Sequence, residues 1–167
     1  MRGVFLVIIV ILIVFLYVQY YTKYKQEYQI LQVYLNKFKL DTLYERYPIV
    51  IYDQVVDPNE VLKTALAYSF VFKTDMTVEQ EQVNRVSHKY LMLYSEDDDV
   101  AIKIINPKYK KEMKTVFSES NVQYVTVKLK AKQILILPAL WYFYTDNMGV
   151  TGIGLDDLVS KWFYALY

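Results

Sequence analysis

The chain of 167 residues contains no cysteine, one histidine, four glycines and four prolines. The missing cysteine excludes a disulfide scaffold, a Cys-type zinc or iron–sulfur site and a thiol nucleophile. A single histidine leaves no His-rich metal site and allows at most one histidine base. Scarce glycine and proline argue against flexible linkers and disorder. An excess of one charge is lacking too. Nineteen basic side chains against 18 acidic ones leave a net charge of +1, which gives no electrostatic footprint for nucleic acid. The length admits one anchor and one domain.

What the chain has instead is apolar and aromatic: 54% hydrophobic residues, with 18 tyrosines. Val4 to Val18 is an unbroken apolar run, nine of its fifteen residues β-branched. As a helix, Gly3 to Tyr21 reaches about 28 Å, close to the hydrocarbon thickness of a bilayer. The Val, Ile, Leu and Phe residues of the run favour insertion by roughly 4 to 8 kcal/mol. The β-branched bias would favour a strand in water, but a lone strand in lipid leaves its backbone unpaired. Gln19 to Lys23 offers no small-residue cleavage site, so the expectation is an uncleaved anchor over residues 1–22. Its membrane-spanning residues are Val4, Phe5, Leu6, Ile8, Ile11, Phe15 and Val18. Tyr17, Tyr20, Tyr21, Lys23, Tyr24 and Lys25 form the expected interfacial belt. A span this short suits a thin, endoplasmic-reticulum-like membrane, and the basic residues after it place the domain on the cytoplasmic face.

Beyond the anchor, Tyr17, Tyr21, Tyr24, Tyr28, Leu31, Leu35 and Phe38 recur at steps of four and three. This seam predicts a continuous helix to about Leu40, a stalk over residues 23–46. Its Tyr28, Leu31, Leu35 and Phe38 either pack on the chain's own domain or bind a partner helix.

Residues 47–167 read as a β-rich globular domain. Pro48 to Tyr52, Lys89 to Tyr94, Val100 to Ile105, Tyr124 to Leu129, Gln133 to Leu137 and Leu140 to Thr145 are strand candidates, and another begins at Phe70 to Phe72. Ser95 to Asp99 is the expected hairpin turn between the second and third of these. Asp57-Pro58-Asn59-Glu60 starts a helix, and Asp156-Asp157 caps the last one. Thr77 to Gln80 resembles a further capping box. The predicted class is an N-terminal transmembrane helix and helical stalk followed by a mainly-β, α+β domain of the sandwich or jelly-roll kind.

Catalytic signals are sparse. His88 has no nucleophile or orienting carboxylate placed by sequence, and is expected at a strand edge or on the surface. Glu96 to Asp99 lacks the ligand spacing of a calcium loop. Gly149-Val150-Thr151-Gly152-Ile153-Gly154 lacks phosphate-cradle spacing and reads as a flexible turn. Lys108, Lys110, Lys111 and Lys114 lie on one expected helix. They either touch anionic headgroups or an acidic protein partner, or form a solvated face.

The stretch Val125 to Tyr144 runs from a strand through a tight turn into an apolar strand ending at Pro138, then the cluster Trp141-Tyr142-Phe143-Tyr144. It resembles the late-barrel hairpin of cupin-like and JmjC-like jelly rolls, and Arg46 to Tyr52 resembles their opening strand. Active oxygenases of that class hold iron with two histidines and a carboxylate. Here Trp141-Tyr142-Phe143 carries no histidine and His88 is followed by Lys89-Tyr90, so the resemblance implies a degenerate, non-catalytic barrel without metal or other cofactor. The whole layout is similar to membrane-anchored minor capsid proteins of nucleocytoplasmic large DNA viruses, in segments such as Tyr47 to Asp53 and Ile134 to Pro138. That resemblance implies a non-enzymatic, single-pass component of a virion inner membrane or an endoplasmic-reticulum-derived one. Its partners would be the lipid bilayer and other capsid or membrane proteins, with no nucleic acid and no small-molecule substrate. The alternatives are a membrane-tethered cupin-like oxygenase with unusual ligands, or a receptor-like protein-binding module.

Overall fold

The computed structural model describes residues 2–55, 57–65, 72–109 and 122–165. It opens with helix α1, Arg2–Thr22. Gly3–Thr22 is long and apolar enough to cross a membrane, and none of its most apolar stretch is buried against the rest of the chain. Such a surface is unstable in water and at home in lipid.

The helix ends at Thr22, not near Leu40. Residues 23–30 are irregular, and strand β1, Leu31–Val33, pairs in parallel with β2, Ile49–Ile51. The heptad seam stops being helical because its side chains find better partners in the domain. Leu31, Leu35 and Phe38 join the core beneath the larger sheet, and the Tyr28 ring meets Trp141 edge-on at 6.0 Å. The segment divided off as a stalk, 23–46, is therefore partly a strand of the domain itself. A 3₁₀ turn at Leu35–Lys37 and the short helix α2, Leu40–Tyr44, complete it. The seam does pack on its own domain, one of the two expectations for it.

Helix α3, Pro58–Ala65, starts where the sequence marks it: the Asp57 carboxylate accepts from the Asn59 backbone N–H at 2.9 Å. The remaining strands are β3 (Phe72–Thr77), β4 (Asn84–Arg85), β5 (Tyr90–Tyr94), β6 (Val100–Ile105), β7 (Tyr124–Leu129), β8 (Ile134–Pro138), β9 (Tyr142–Tyr144) and β10 (Thr151–Asp156). Helix α4, Leu158–Ala165, closes the described chain. Thr77 to Gln80 starts no helix; Thr77 ends β3 and a turn follows.

Two sheets result. The larger has the order β1-β2-β8-β5-β10-β3 and the smaller β4-β9-β6-β7. Apart from β1 with β2, all described pairs are antiparallel. From β3 onward the pairing is nested: β3 with β10, β4 with β9, β5 with β8 and β6 with β7.

The expected hairpin of Lys89–Tyr94 with Val100–Ile105 does not form. Strand β5 lies inside the larger sheet between β8 and β10, whereas β6 lies in the smaller, so Ser95 to Asp99 arches from one sheet to the other. Residues 90–93 are buried on both faces, and only an interior strand covered on both sides satisfies that. Gly152 and Gly154 likewise lie in an interior strand, β10, not in a flexible turn.

One core lies between the sheets, where Leu91, Leu93, Leu135 and Leu137 meet Ile102, Ile104, Val127 and Phe143. A second covers the other face of the larger sheet. There Ile49, Ile51, Met92, Ile134 and Ile136 pack beneath Leu43, Val61, Leu62 and the ring of Tyr21. Alternation along β2, β5 and β8 sends neighbouring residues to the two cores in turn.

Candidate functional site at the helix–domain junction

The last turns of α1 carry Tyr17, Tyr20 and Tyr21. Spacing of four stacks Tyr17 on Tyr21, ring centroids 4.6 Å apart, on the side turned to the domain. Tyr21 is buried in the core beneath the larger sheet, and Tyr17 packs against it. Two members of the expected interfacial belt thus bind protein. Tyr20, Lys23 and Tyr24 stay exposed, while Lys25 is partly buried with its ammonium 5.5 Å from the Tyr47 ring.

Facing this ladder is Lys89, at the start of β5 and itself buried. Its Nζ donates to Asp157 Oδ2 at 2.7 Å and sits 4.3 Å from the Tyr21 ring and 5.1 Å from that of Tyr17. A buried ammonium is tolerated where a carboxylate and aromatic faces replace its water. The Tyr17 hydroxyl donates to the same Asp157 oxygen. The other oxygen, Oδ1, accepts from the backbone N–H groups of Val159 and Ser160 and caps α4, while Ser160 Oγ accepts from the Asp157 N–H. Burial pushes the Asp157 carboxyl upward, but the bonds from Lys89, Tyr17 and Ser160 outweigh it and hold it below the usual carboxylate range.

A second clamp comes from α2 and the residues after it. Arg46 adopts a positive φ of 57° and donates through Nη1 to the carbonyls of Tyr20 and Lys23. Those carbonyls lie in the last turn of α1 and just beyond it, where a cation also meets the negative end of the helix dipole. The guanidinium carbon lies 4.3 Å from the Tyr20 ring. The Tyr20 hydroxyl donates to the Tyr44 carbonyl at 2.8 Å, and the Tyr90 hydroxyl to that of Leu43 at 2.7 Å. Burial drives the Tyr90 phenol far above its ordinary range, so it stays a neutral donor.

Beside the clamp, His88 Nδ1 lies 2.5 Å from Asp156 Oδ2, mostly shielded from solvent rather than at the surface. The other Asp156 oxygen accepts from the Lys89 N–H at 2.9 Å and from Ser160 Oγ at 3.0 Å. The carboxylate is therefore the hub of the cluster and the histidine a spoke, the reverse of the order in a Ser-His-Asp triad. The ring lies against Gly154, where a Cβ would approach it to 2.6 Å. Among the described residues no group of three or more His, Asp or Glu side chains converges to hold a metal ion.

The opposite end of the sandwich differs. Strand β5 runs from Tyr90 at the junction to Tyr94, about 13 Å away, where Tyr94 pairs with Ile134 and Thr151. There an open cleft of about 730 Å³ lies between the β1–β2 edge of the larger sheet and β7, the edge of the smaller. Tyr34 and Tyr52, 57% and 45% exposed, lie on one side, with Asp99, Lys128, Lys130 and Asn147 also lining it.

Of the partner-binding candidates, Tyr28, Leu31, Leu35 and Phe38 are taken up by the domain, as their packing shows. Lys108 is exposed, its ammonium 5.0 Å from the Tyr109 ring and 5.3 Å from that of Tyr28. Lys110, Lys111 and Lys114 fall outside the described residues. Of the membrane-spanning candidates, Val4, Phe5, Leu6, Ile8, Ile11 and Phe15 are exposed along α1, and Val18 is partly covered. Sequence reasoning missed Lys89, Arg46 and the distal cleft. The one available signal was a lysine leading into an otherwise apolar strand. No protein-family model matches the chain, and no curated protein matches it either.

Proposed function

We propose that this protein is a structural membrane anchor: α1 crosses a thin internal membrane once, and the junction holds the domain in a fixed pose above it. The observation that carries the reading is the Tyr17–Lys89–Asp157 clamp together with Arg46 on the end of α1. A helix that served only to target the chain would need no such lock. The domain is a jelly roll of the kind shared by cupin-like proteins, supported by the nested pairing of β3 to β10. It is non-catalytic, a reading supported by the position of His88 as a spoke on Asp156. Its role is to link an internal membrane, of viral origin on the resemblance, to a protein shell, as a minor capsid component.

The distal cleft supports a partner-docking end. It faces away from the anchor and offers two exposed tyrosines, the residue type enriched at protein interfaces. The domain lies on the cytoplasmic side. Purified particles test this role: the full chain resists extraction by high salt, comes out with detergent, and lies between membrane and shell in reconstructions. Absence from the particle contradicts it. The cupin-like oxygenase reading is tested by metal analysis of the full chain in detergent, where stoichiometric iron would revive it.

A further inference from the structure

Helix α4 is two-faced in an unusual sense. Ser160 is fully buried against Asp156, and Val159 and Phe163 are partly covered. One turn apart on the other face, Leu158 is 61% and Trp162 73% exposed. A tryptophan this bare is rare on a soluble surface, because it is the largest apolar side chain a protein can bury.

The place of α4 explains it. The helix begins at Asp157, whose carboxylate accepts from the Tyr17 hydroxyl of α1 and the ammonium of Lys89. Tyr17 lies one residue before Val18, the end of the apolar run. The first turn of α4 is therefore pinned at the level where α1 leaves the hydrocarbon. Lys161, between the two apolar residues in sequence, is turned back to the domain, its ammonium 4.1 Å from the Phe72 ring. That leaves an apolar face with a tryptophan, the residue type most at home where acyl chains meet headgroups.

We infer that the Leu158–Trp162 face of α4 is a second membrane contact, seated in the headgroup boundary of the same bilayer that α1 spans. This rests on the anchoring role proposed for α1. The occupant is lipid because the face continues from the end of the spanning helix, through the Tyr17–Asp157 bond. The junction fixes the domain on α1, but a single spanning helix can tilt in the bilayer and carry the domain with it. A second contact beside the end of α1 limits that tilt and keeps the distal cleft turned from the membrane.

The test uses the full chain in nanodiscs of phosphatidylcholine, with and without bromine atoms near the headgroup end of the acyl chains. The chain has two tryptophans, and Trp141 is 1% exposed between the sheets, so it serves as an internal reference. In brominated discs the wild type is expected to lose most of the Trp162 emission, with the rest unchanged, while Trp162→Phe shows no loss. Equal emission from the wild type in both kinds of disc overturns the inference and leaves the anchoring role standing. Shielding of Trp162 from acrylamide without quenching by the brominated lipid also overturns it, in favour of a protein partner or a second copy. A chain that floats free of the discs overturns both.

Discussion

The two ends of the sandwich solve opposite problems. At the junction, charged and aromatic groups are drawn inward and matched: Lys89 to Asp157, Arg46 to the carbonyls ending α1, Tyr90 to Leu43. The cavity there, beside Lys89 and Tyr90, is about 240 Å³. At the far end the tyrosines stand in solvent, the cleft reaches about 730 Å³, and the acidic loop 96–99 is exposed. The same residue type serves both ends. Tyr17 and Tyr21 pack against the domain at the junction, whereas Tyr34 and Tyr52 stay exposed. Tyrosine suits both roles because it joins a large ring to a polar tip.

The largest expected effect is at the clamp. Asp157→Ala removes the partner of Lys89, the acceptor for Tyr17 and the cap of α4, and is expected to destabilise the domain by about 3 kcal/mol. Urea unfolding of the full chain in detergent, followed through the buried Trp141, measures it. Gly154→Ala comes next. Its Cβ would press on the His88 ring, which is held by Asp156, and the expected loss is about 2 kcal/mol in the same assay.

Acid sharpens the contrast between the ends. The Asp157 carboxyl is held below its ordinary value of 3.8, so its stabilisation is fully present above that pH and is lost as pH falls through the lower folded value. Wild type is therefore expected to lose stability more steeply below about pH 4 than Asp157→Asn, which has no carboxyl to protonate. Parallel pH curves for the two would remove Asp157 from the account. Arg46→Ala follows with about 1 kcal/mol, from lost contact with the end of α1. Smallest is the distal end: Tyr34→Ala and Tyr52→Ala are expected to shift stability by less than about 0.5 kcal/mol. A loss comparable to Asp157→Ala would make that end a structural element too.

How much of this was legible in the sequence follows the range of the forces involved. The apolar helix α1 was readable because its length and composition are those of a helix able to cross a membrane. The starts of α3 and α4 were readable because Asp57 and Asp157 act within three residues of themselves. Strands β7 and β8 showed in alternation and apolar runs. The end of α1 was not readable: Tyr24 to Phe38 fits a helical seam, and only pairing with β2 and capping by Arg46 decide otherwise. The separation of β5 from β6 was hidden for the same reason, since a hairpin and an inter-sheet arch share one local pattern. Strand β10 was masked by its glycines, which are present because Leu91 and His88 press close to Gly152 and Gly154. Lys89 gave no sign of burial, because its partners lie 68 and 72 residues distant in the chain.

The central claim is that α1 is a permanent lipid tether for a domain locked onto its end. Alkaline carbonate washing of membranes from cells producing the full chain tests it most directly, because that treatment strips proteins held by charge and leaves those that span. The chain is expected to stay with the membrane pellet until detergent is added. Its release into the carbonate supernatant would contradict the account.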